Sequence, residues 1–200
     1  MNDCIVRHAT KEDAPFLAQT VMGALGSELC CKLAGGEEKM PLVRRLFTNL
    51  AASESSQYSY TNSLTALSAG GEMAGAIIAY DGARLQELRK AFIREANSIL
   101  GWNIDEDDEE RLEAETNAGE IYIDSLFVVP AFRRKGIATA LIRSVISHHK
   151  EAGKPVGLLV DPDNPKAKHT YESLGFREVG TNGFFGVGMI HMQYFPNDSI

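Results

Sequence analysis

The 200-residue chain contains little cysteine and no long apolar run. Its three cysteines, Cys4, Cys30 and Cys31, are odd in number and lack zinc-ligand spacing, so we expect reduced, packed thiols. No apolar stretch approaches the roughly 18 residues that a membrane helix needs, and the first residues lack the apolar core of a signal peptide. We therefore expect a cytoplasmic protein that does not associate with a membrane.

Positive charge is also scarce, because 20 lysines and arginines stand against 27 acidic residues and give a formal net charge of −7. A protein that binds the phosphate backbone of a nucleic acid needs clustered positive charge, so we expect no nucleic-acid partner. Hydrophobic residues make up 44% of the chain and charged residues 24%, which is typical of a globular protein with a buried core.

The five histidines do not have the spacing of metal ligands. His148 and His149 are neighbours on a predicted helix, about 100° apart around its axis, so they cannot easily share an ion. His8, His169 and His191 stand alone in the sequence. We predict no metal site.

Apolar periodicity and turn residues predict one domain, residues 1–200, of strands and helices. The predicted strands are Cys4–His8, Tyr58–Ser68, Met73–Tyr80, Ile121–Val129, Val156–Val160, Phe176–Val179 and Val187–Tyr194. One helix begins after Thr10, and the others cover about 37–52, Ala83–Leu100, Ile137–Glu151 and about Pro165–Leu174. The βαβ unit between 121 and 160 has hairpins on both sides, so we predict an α/β fold: a mixed, largely antiparallel central sheet with helices on both faces.

A basic turn between the strand Ile121–Val129 and the next helix is the most informative segment. It reads PAFRRKG over residues 130–136. N–H groups at a helix start have no internal partner and the helix dipole adds positive charge, so the turn suits a pyrophosphate. Gly136 lets the backbone approach closely, and the small Ala138 leaves room against the first turn. The alternative is a solvated turn that only caps the helix.

This arrangement resembles the GNAT family of N-acetyltransferases. The family's first signature, Arg/Gln-x-x-Gly-x-Gly/Ala, is met by Arg133, Gly136 and Ala138. Residues 164–176, NPKAKHTYESLGF, are similar to its second signature of Asn, then Ala, then Tyr-x-x-x-Gly-Phe. The detailed match covers about residues 120–180, and the order of predicted elements fits the family over nearly the whole chain.

The resemblance implies an acyl-CoA N-acyltransferase fold, in which the fourth strand splays from the fifth and acetyl-CoA, the co-substrate, lies in the gap. An acceptor amine would attack the thioester directly, and strand-four N–H groups would stabilise the oxyanion of the tetrahedral intermediate. Arg133 would act mainly through the loop or be a surface arginine, and Asn164 is equally a helix N-cap before a proline. The implied cofactor-binding residues are Leu126, Phe127, Val128, Arg133, Arg134, Lys135, Gly136, Ile137, Ala138, Thr139 and Asn164.

Tyr171, in the second signature, is the expected general acid, because a phenol stays protonated at neutral pH and can protonate the leaving thiolate. The alternative is an aromatic ring that only packs on the inner face of its helix. Candidate bases are Glu120, at the start of the fourth strand, and Asp124 within it. Strand alternation places Asp124 on the same side as Tyr122 and Leu126. The alternatives are an edge or solvent-facing aspartate, or a water chain in place of a base.

The segment 81–118 is longer than a minimal family member needs and is expected on the substrate side. Its six carboxylates at 105–110 predict a mobile solvated loop or, alternatively, a funnel for a cationic amine. Because this segment could close over the site, a small amine is slightly favoured as acceptor over a protein N-terminus or lysine. The rival function is a non-catalytic acyl-CoA-binding sensor or partner-binding module. Exposed ends of the last strands would also allow a homodimer.

Overall fold

The computed structural model describes residues 4–107 and 115–196, and within them seven strands form one sheet. The strands are β1 (Cys4–His8), β2 (Ser63–Ser68), β3 (Met73–Asp81), β4 (Ile121–Val128), β5 (Val156–Val160), β6 (Arg177–Phe184) and β7 (Val187–Tyr194). Their order across the sheet is β1-β2-β3-β4-β5-β7-β6, in which β4 and β5 are parallel and the other neighbours are antiparallel. The predicted mixed, largely antiparallel sheet is confirmed.

Helices cover both faces of this sheet, as predicted. They are α1 (Ala14–Ala34), α2 (Met40–Ala52), α3 (Leu85–Leu100), α4 (Ile137–His148) and α5 (Pro165–Ser173). The first three pack together on one face around Phe47 and Ile78, and α4 packs on the other face through Leu141 against Ile77 and Ile123. Within the residues described, none of the helices combines the length and the apolar character of a membrane span.

Two predicted strand boundaries are wrong. Residues 58–62 do not extend β2, because the Ser59 hydroxyl accepts the Thr61 N–H at 3.0 Å and begins a short 3-10 turn. The last hairpin is longer than predicted, since β6 continues past Val179 to Phe184 while it pairs with β7. The longer hairpin brings its tip close to α1.

The parallel strands β4 and β5 pair over a short length. Ile121–Ile123 of β4 pair with Val156–Leu158 of β5, and in the described residues the pairing goes no further. On its other side β4 stays paired with β3 as far as Val128. A gap therefore opens between two neighbouring strands at the centre of the sheet, which the family resemblance leads us to expect.

A β-bulge in β4 decides which way its side chains point. Ser125 pairs with Ile78 and Ile123 pairs with Ala79, so Asp124 is the extra residue. An extra residue interrupts the alternation of a strand and re-aims the side chains beyond it. Asp124 shares the face of Tyr122, where both adjoin the Tyr80 side chain, whereas Leu126 packs against the core under α4. The predicted placement of Asp124 on the same side as Leu126 is therefore wrong.

Candidate active site

A cavity of about 330 Å³ lies where β4 and β5 separate. Its walls come from both strands, from α1, from the start of α5 and from the β6–β7 hairpin. Four residues singled out in the sequence meet there: Asp124, Leu126, Asn164 and Tyr171. In the described part of the chain, Glu120 is not among the residues that line it.

The wall contributed by α1 has no counterpart in the sequence predictions. Gly26 interrupts the helix with φ +80° and ψ 162°, a backbone conformation that favours glycine. One turn earlier, Gly23 lies so close to the ring of Phe127 that a Cβ there would overlap it. The two glycines let α1 approach β4 and break beside the cavity, which Ala24 and Leu25 also line. Their spacing in a helical segment was the signal that could have indicated this.

The Asp124 carboxylate faces the cavity wall and accepts three hydrogen bonds. Its Oδ2 accepts from the Tyr80 hydroxyl at 3.0 Å and from Gln57 Nε2 at 3.4 Å, and its Oδ1 accepts from the Ser125 hydroxyl at 2.8 Å. Burial raises the pKa of Asp124 above its ordinary value, although the three donors favour the charged form. The carboxyl is therefore half-buried at the cavity, in the central strand β4, rather than on a fully exposed face of the sheet.

Three buried residues extend the polar group around Asp124. The Tyr80 hydroxyl lies 3.5 Å from Glu115 Oε1, and Arg89 Nη2 lies 3.3 Å from Glu115 Oε2. Burial, followed by the charge of Asp124, raises the pKa of Glu115 to about 7. No sequence pattern indicated this arrangement, because Glu115 belongs to an acidic segment and Tyr80 ends an apolar strand.

Tyr171 packs against the core and also lines the cavity. The ring centroid lies 5.9 Å from that of Phe176, so the packing role considered for this residue is real. In the residues that the structure describes, no protein group hydrogen-bonds the hydroxyl. Burial raises the pKa of Tyr171, which keeps the phenol protonated at neutral pH. Tyr171 and Asp124 line the same cavity.

Glu120 is fully buried and is held by four donors. Its carboxylate accepts from the Thr116 hydroxyl at 2.7 Å, the Asn117 amide at 3.0 Å, His191 Nε2 at 2.8 Å and Gln193 Nε2 at 2.7 Å. Burial acts to raise the pKa of Glu120, but the hydrogen bonds outweigh it and the pKa is lowered. A carboxylate with this many partners is a poor proton acceptor. Its contacts join the start of β4 to β7.

The basic turn presents unbonded backbone N–H groups at the start of α4. In the turn, Arg134 has φ +61° and Gly136 has φ +76°. The Gly136 carbonyl accepts a hydrogen bond from the Ala140 N–H at 3.0 Å. The N–H groups of the first helical residues before Ala140 therefore have no partner within the helix, and no described side chain caps them. A helix start of this kind can hold an anion.

Arg133 and Lys135 stabilise this turn in different ways. Arg133 Nε donates to the Val128 carbonyl at 3.1 Å, so the side chain joins the loop to the end of β4. The ammonium of Lys135 lies 5.2 Å from the centroid of the Phe132 ring. Asn164 has the capping role that was considered for it, because its Oδ1 accepts the Ala167 N–H at 3.1 Å. It also lines the cavity.

Two carboxylates in the described part of the acidic run, Glu106 and Asp107, are paired with α3. Arg94 Nη1 lies 2.6 Å from Glu106 Oε2, and Lys90 forms an ion pair with Asp107. These two carboxylates are therefore solvent-accessible but held by ion pairs to α3. Residues 108–110 of the run lie outside the described residues.

No set of three or more His, Cys, Asp or Glu side chains within 4–107 and 115–196 is arranged to hold a metal ion. His8 Nε2 and His148 Nε2 lie 2.9 Å apart, and His191 is used by Glu120. The three cysteines are unpaired.

Comparison with known sequences identifies the family. Residues 53–176 match the acetyltransferase (GNAT) family. The chain is 34% identical over 112 residues to Acetyltransferase Atu2258 of Agrobacterium fabrum, which covers 54% of this chain and 74% of that protein. It is also 34% identical over 87 residues to the mycothiol acetyltransferase of Corynebacterium diphtheriae, but that match spans 43% of this chain and 25% of that protein.

Solved structures agree with the sequence matches. A crystal structure of an acetyltransferase is 30% identical with a TM-score of 0.73, covering 96% of this chain and 100% of that one. An N-acetyltransferase of Staphylococcus aureus Mu50 shares the fold at 20% identity and a TM-score of 0.73, covering 94% and 99% of the two chains. An N-acetyltransferase of Thermoplasma acidophilum, solved with coenzyme A, shares it at 15% identity and a TM-score of 0.59, covering 96% and 98%. The chain therefore belongs to the GNAT family of acetyltransferases, enzymes that use acetyl-CoA.

Proposed function

We propose that this acyltransferase moves the acetyl group of acetyl-CoA to a primary amine by direct attack. The observation that supports it most is that the Asp124 carboxyl and the Tyr171 phenol line one cavity at the gap between β4 and β5. Acyl transfer to an amine needs both kinds of group, because the acceptor ammonium must lose a proton and the leaving thiolate must gain one. Asp124 is proposed as the base in preference to Glu120, whose carboxylate is already held by four donors.

The residues around the gap suit acetyl-CoA. Unbonded N–H groups at the start of α4 suit a pyrophosphate, and the β4 backbone beyond Ile123 is not paired with β5 in the described residues. Acetyl-CoA supplies an activated thioester when bound. The proposed binding residues are Leu126, Phe127, Val128, Arg133, Arg134, Lys135, Gly136, Ile137, Ala138, Thr139 and Asn164.

The proposed chemistry assigns one proton to each side chain. Asp124 accepts a proton from the acceptor ammonium, which frees the nitrogen lone pair for attack. Tyr171 donates its hydroxyl proton to the departing sulfur and regains one from the attacking nitrogen, while backbone N–H groups of β4 stabilise the negative charge that develops on the carbonyl oxygen. The balance is one ammonium and one thioester consumed, and one amide, one thiol and one proton produced. Asp124 releases that proton to solvent.

A groove of about 600 Å³ leads from the cavity between α1 and the β6–β7 hairpin. It shares Leu25, Asp161 and Asn164 with the cavity, so the two are continuous. Its apolar lining includes Leu29, Trp102, Phe184, Phe185, Val187 and Met189. Phe185 is 53% exposed and Val187 56%, which is unusual for large apolar side chains and typical of a binding surface. We infer that the acceptor is a small amine with an apolar body that lies in this groove.

Calorimetric titration with acetyl-CoA tests the proposal first, with adenosine and ATP as controls. We expect micromolar binding of acetyl-CoA, and then release of free thiol when a panel of amines with apolar bodies is added. The Asp124→Asn variant should bind acetyl-CoA as the wild type does but transfer the acetyl group about 100-fold more slowly. Absence of binding by the folded protein, or an Asp124→Asn variant with the wild-type rate, would contradict the proposal.

The rival function is a module that binds acyl-CoA without turnover. Such a protein would bind acetyl-CoA and release no thiol with any amine of the panel. The presence of Asp124 and Tyr171 in one cavity favours the enzyme, because binding alone needs neither an acid nor a base.

A further inference from the structure

A single hydroxyl group connects a buried and a half-buried carboxyl beside the cavity. Tyr80 Oη lies 3.0 Å from Asp124 Oδ2 and 3.5 Å from Glu115 Oε1. Glu115 is 7% exposed and Tyr80 2% exposed, while Asp124 is half-buried at the cavity wall, so the path between the two carboxyls through Tyr80 is shielded from bulk water. A phenol can donate to one carboxyl while accepting from the other. The three groups therefore form a continuous hydrogen-bonded chain whenever one of the carboxyls is protonated.

Among the residues that the structure describes, the charges around this chain are one positive charge short when both carboxyls are ionised. Arg89 of α3 faces Glu115 with a nitrogen–oxygen distance of 3.3 Å. In residues 4–107 and 115–196, the neighbours of the chain also include Tyr58 and Gln57 from the segment before β2 and Tyr122 from β4. Burial raises the pKa of both tyrosines well above their ordinary range. These groups stay neutral. A buried, uncompensated negative charge is costly, so the chain favours the uptake of one proton.

We infer that Glu115 is a positioning residue that shares one proton with Asp124 through the Tyr80 hydroxyl, and thereby sets the pH at which Asp124 can accept the acceptor's proton. The last part rests on the proposed function. When the proton moves between the carboxyls, the Tyr80 oxygen accepts it from one and the hydroxyl gives its own hydrogen to the other. No bond to carbon changes, and the charge of the group is conserved.

In a simpler role, Glu115 forms only an ion pair with Arg89, which holds the chain at residue 115 against α3. Both roles predict that loss of Glu115 lowers stability. They differ in the titration of Asp124, which a purely structural ion pair leaves unchanged. Glu115→Gln separates them, because glutamine keeps the size and an oxygen acceptor for Arg89 but removes the charge and the titratable group.

Carbon-13 carboxyl NMR on the intact protein, without substrate, tests the shared proton directly. In the wild type we expect both Asp124 and Glu115 to titrate in two steps, as coupled groups do. In Glu115→Gln, Asp124 should titrate in one step, displaced by about one unit to lower pH because a like charge is lost. In Tyr80→Phe the displacement should be to higher pH, because the carboxylate loses a donor. A single wild-type step for Asp124 that is unchanged in Glu115→Gln would overturn the inference.

Glu106→Gln is the matched control. It also removes one carboxylate from the segment 81–118, but Glu106 forms a surface ion pair with Arg94. Its Asp124 titration should equal that of the wild type. The wild-type measurement alone remains decisive if Glu115→Gln does not fold.

The pH dependence of kcat/KM for amine acetylation shows whether the shared proton governs catalysis. The acidic limb should move to lower pH in Glu115→Gln by the same amount as the Asp124 titration, with acetyl-CoA affinity unchanged. If the NMR displacement occurs but no amine is acetylated, the proposed function fails and the proton sharing stands. If amines are acetylated and the two pH profiles superimpose, the role inferred for Glu115 fails.

Discussion

Glu120 lies directly beneath Gly157 of β5, with its carboxylate in the space where a Cβ would be. Two side chains of β7, His191 and Gln193, donate to the same carboxylate oxygen at 2.8 and 2.7 Å. Glu120 therefore joins β4 to β5 and β7 at the end of the sheet where the strands are still paired. Asp124, within β4, stands where β4 and β5 have separated. The two carboxyls thus have different surroundings.

Glu120→Gln should lower stability while it reduces kcat far less than Asp124→Asn does. Replacing a buried carboxylate that four donors hold is expected to cost about 3 kcal/mol at pH 7. Because the fold lowers the pKa of Glu120, this stabilisation is present above the unfolded-state pKa of about 4.5 and is lost as the pH falls through the folded-state value. Urea unfolding of the wild type and the variant at several pH values measures the difference, which should shrink below about pH 4.5.

Glu178→Gln is the control for this experiment, because Glu178 forms an exposed ion pair with Lys168 at 3.0 Å. It should change the free energy of unfolding by no more than about 0.5 kcal/mol. A Glu120→Gln variant as stable as this control, or one that loses as much kcat as Asp124→Asn, would show that Glu120 is not primarily structural.

Tyr171→Phe should leave acetyl-CoA binding intact and lower kcat about 100-fold, because it keeps the ring that packs on Phe176 and removes the proposed proton donor. Thiol release with an amine acceptor measures the rate, and calorimetry measures the binding. Tyr194→Phe is matched to it, since the Tyr194 ring also packs on Phe176, with centroids 5.8 Å apart. If both variants turn over at the wild-type rate, Tyr171 is not the acid.

The sequence predicted those parts of the molecule that local residue patterns determine. Apolar periodicity and terminal glycines predicted the helices and the sheet class. In the turn before α4, Gly136 has φ +76°, a backbone conformation that favours glycine. The orientation of Leu126 was predicted wrongly because the bulge adds one residue to β4 without a distinctive residue type. The contacts of Tyr80 with Glu115 and Asp124 join residues 35 and 44 positions apart, and pairings over such distances leave no periodic signal in one sequence.

Gly136→Ala should weaken acetyl-CoA binding about 10-fold. An alanine at φ +76° is strained by about 1–2 kcal/mol, and the backbone relieves the strain by turning its N–H groups away from the proposed pyrophosphate site. Gly153→Ala is a matched control. Gly153 follows the short 3-10 turn after α4 and has φ +65°, so an alanine there is strained similarly but lies away from the proposed pyrophosphate site. Both variants should lose similar stability in thermal unfolding. Equal acetyl-CoA affinities for the two would contradict the proposed site.

Phe185→Ala should raise the KM for an amine with an apolar body about 10-fold and leave kcat nearly unchanged. The side chain is 53% exposed at the tip of the β6–β7 hairpin and lines the groove that continues from the cavity. Burying a phenylalanine against an apolar ligand contributes about 1.5–3 kcal/mol, and a tenfold change in affinity corresponds to about 1.4 kcal/mol. Contacts far from the reacting atoms stabilise ground state and transition state alike, so the change falls on KM.

Ile5→Ala distinguishes this effect from a general loss of surface apolarity. Ile5 is 66% exposed on β1, at the opposite edge of the sheet from β6, and does not line the groove. Its substitution should leave KM and kcat as they are. The comparison should also depend on the acceptor, because a short amine without an apolar body does not reach Phe185 and its KM should be the same for all three proteins. A Phe185→Ala variant that raises KM equally for short and apolar amines would exclude the groove as the site of the acceptor's apolar body. Only a ligand that fills the groove loses contact area when the Phe185 ring is removed.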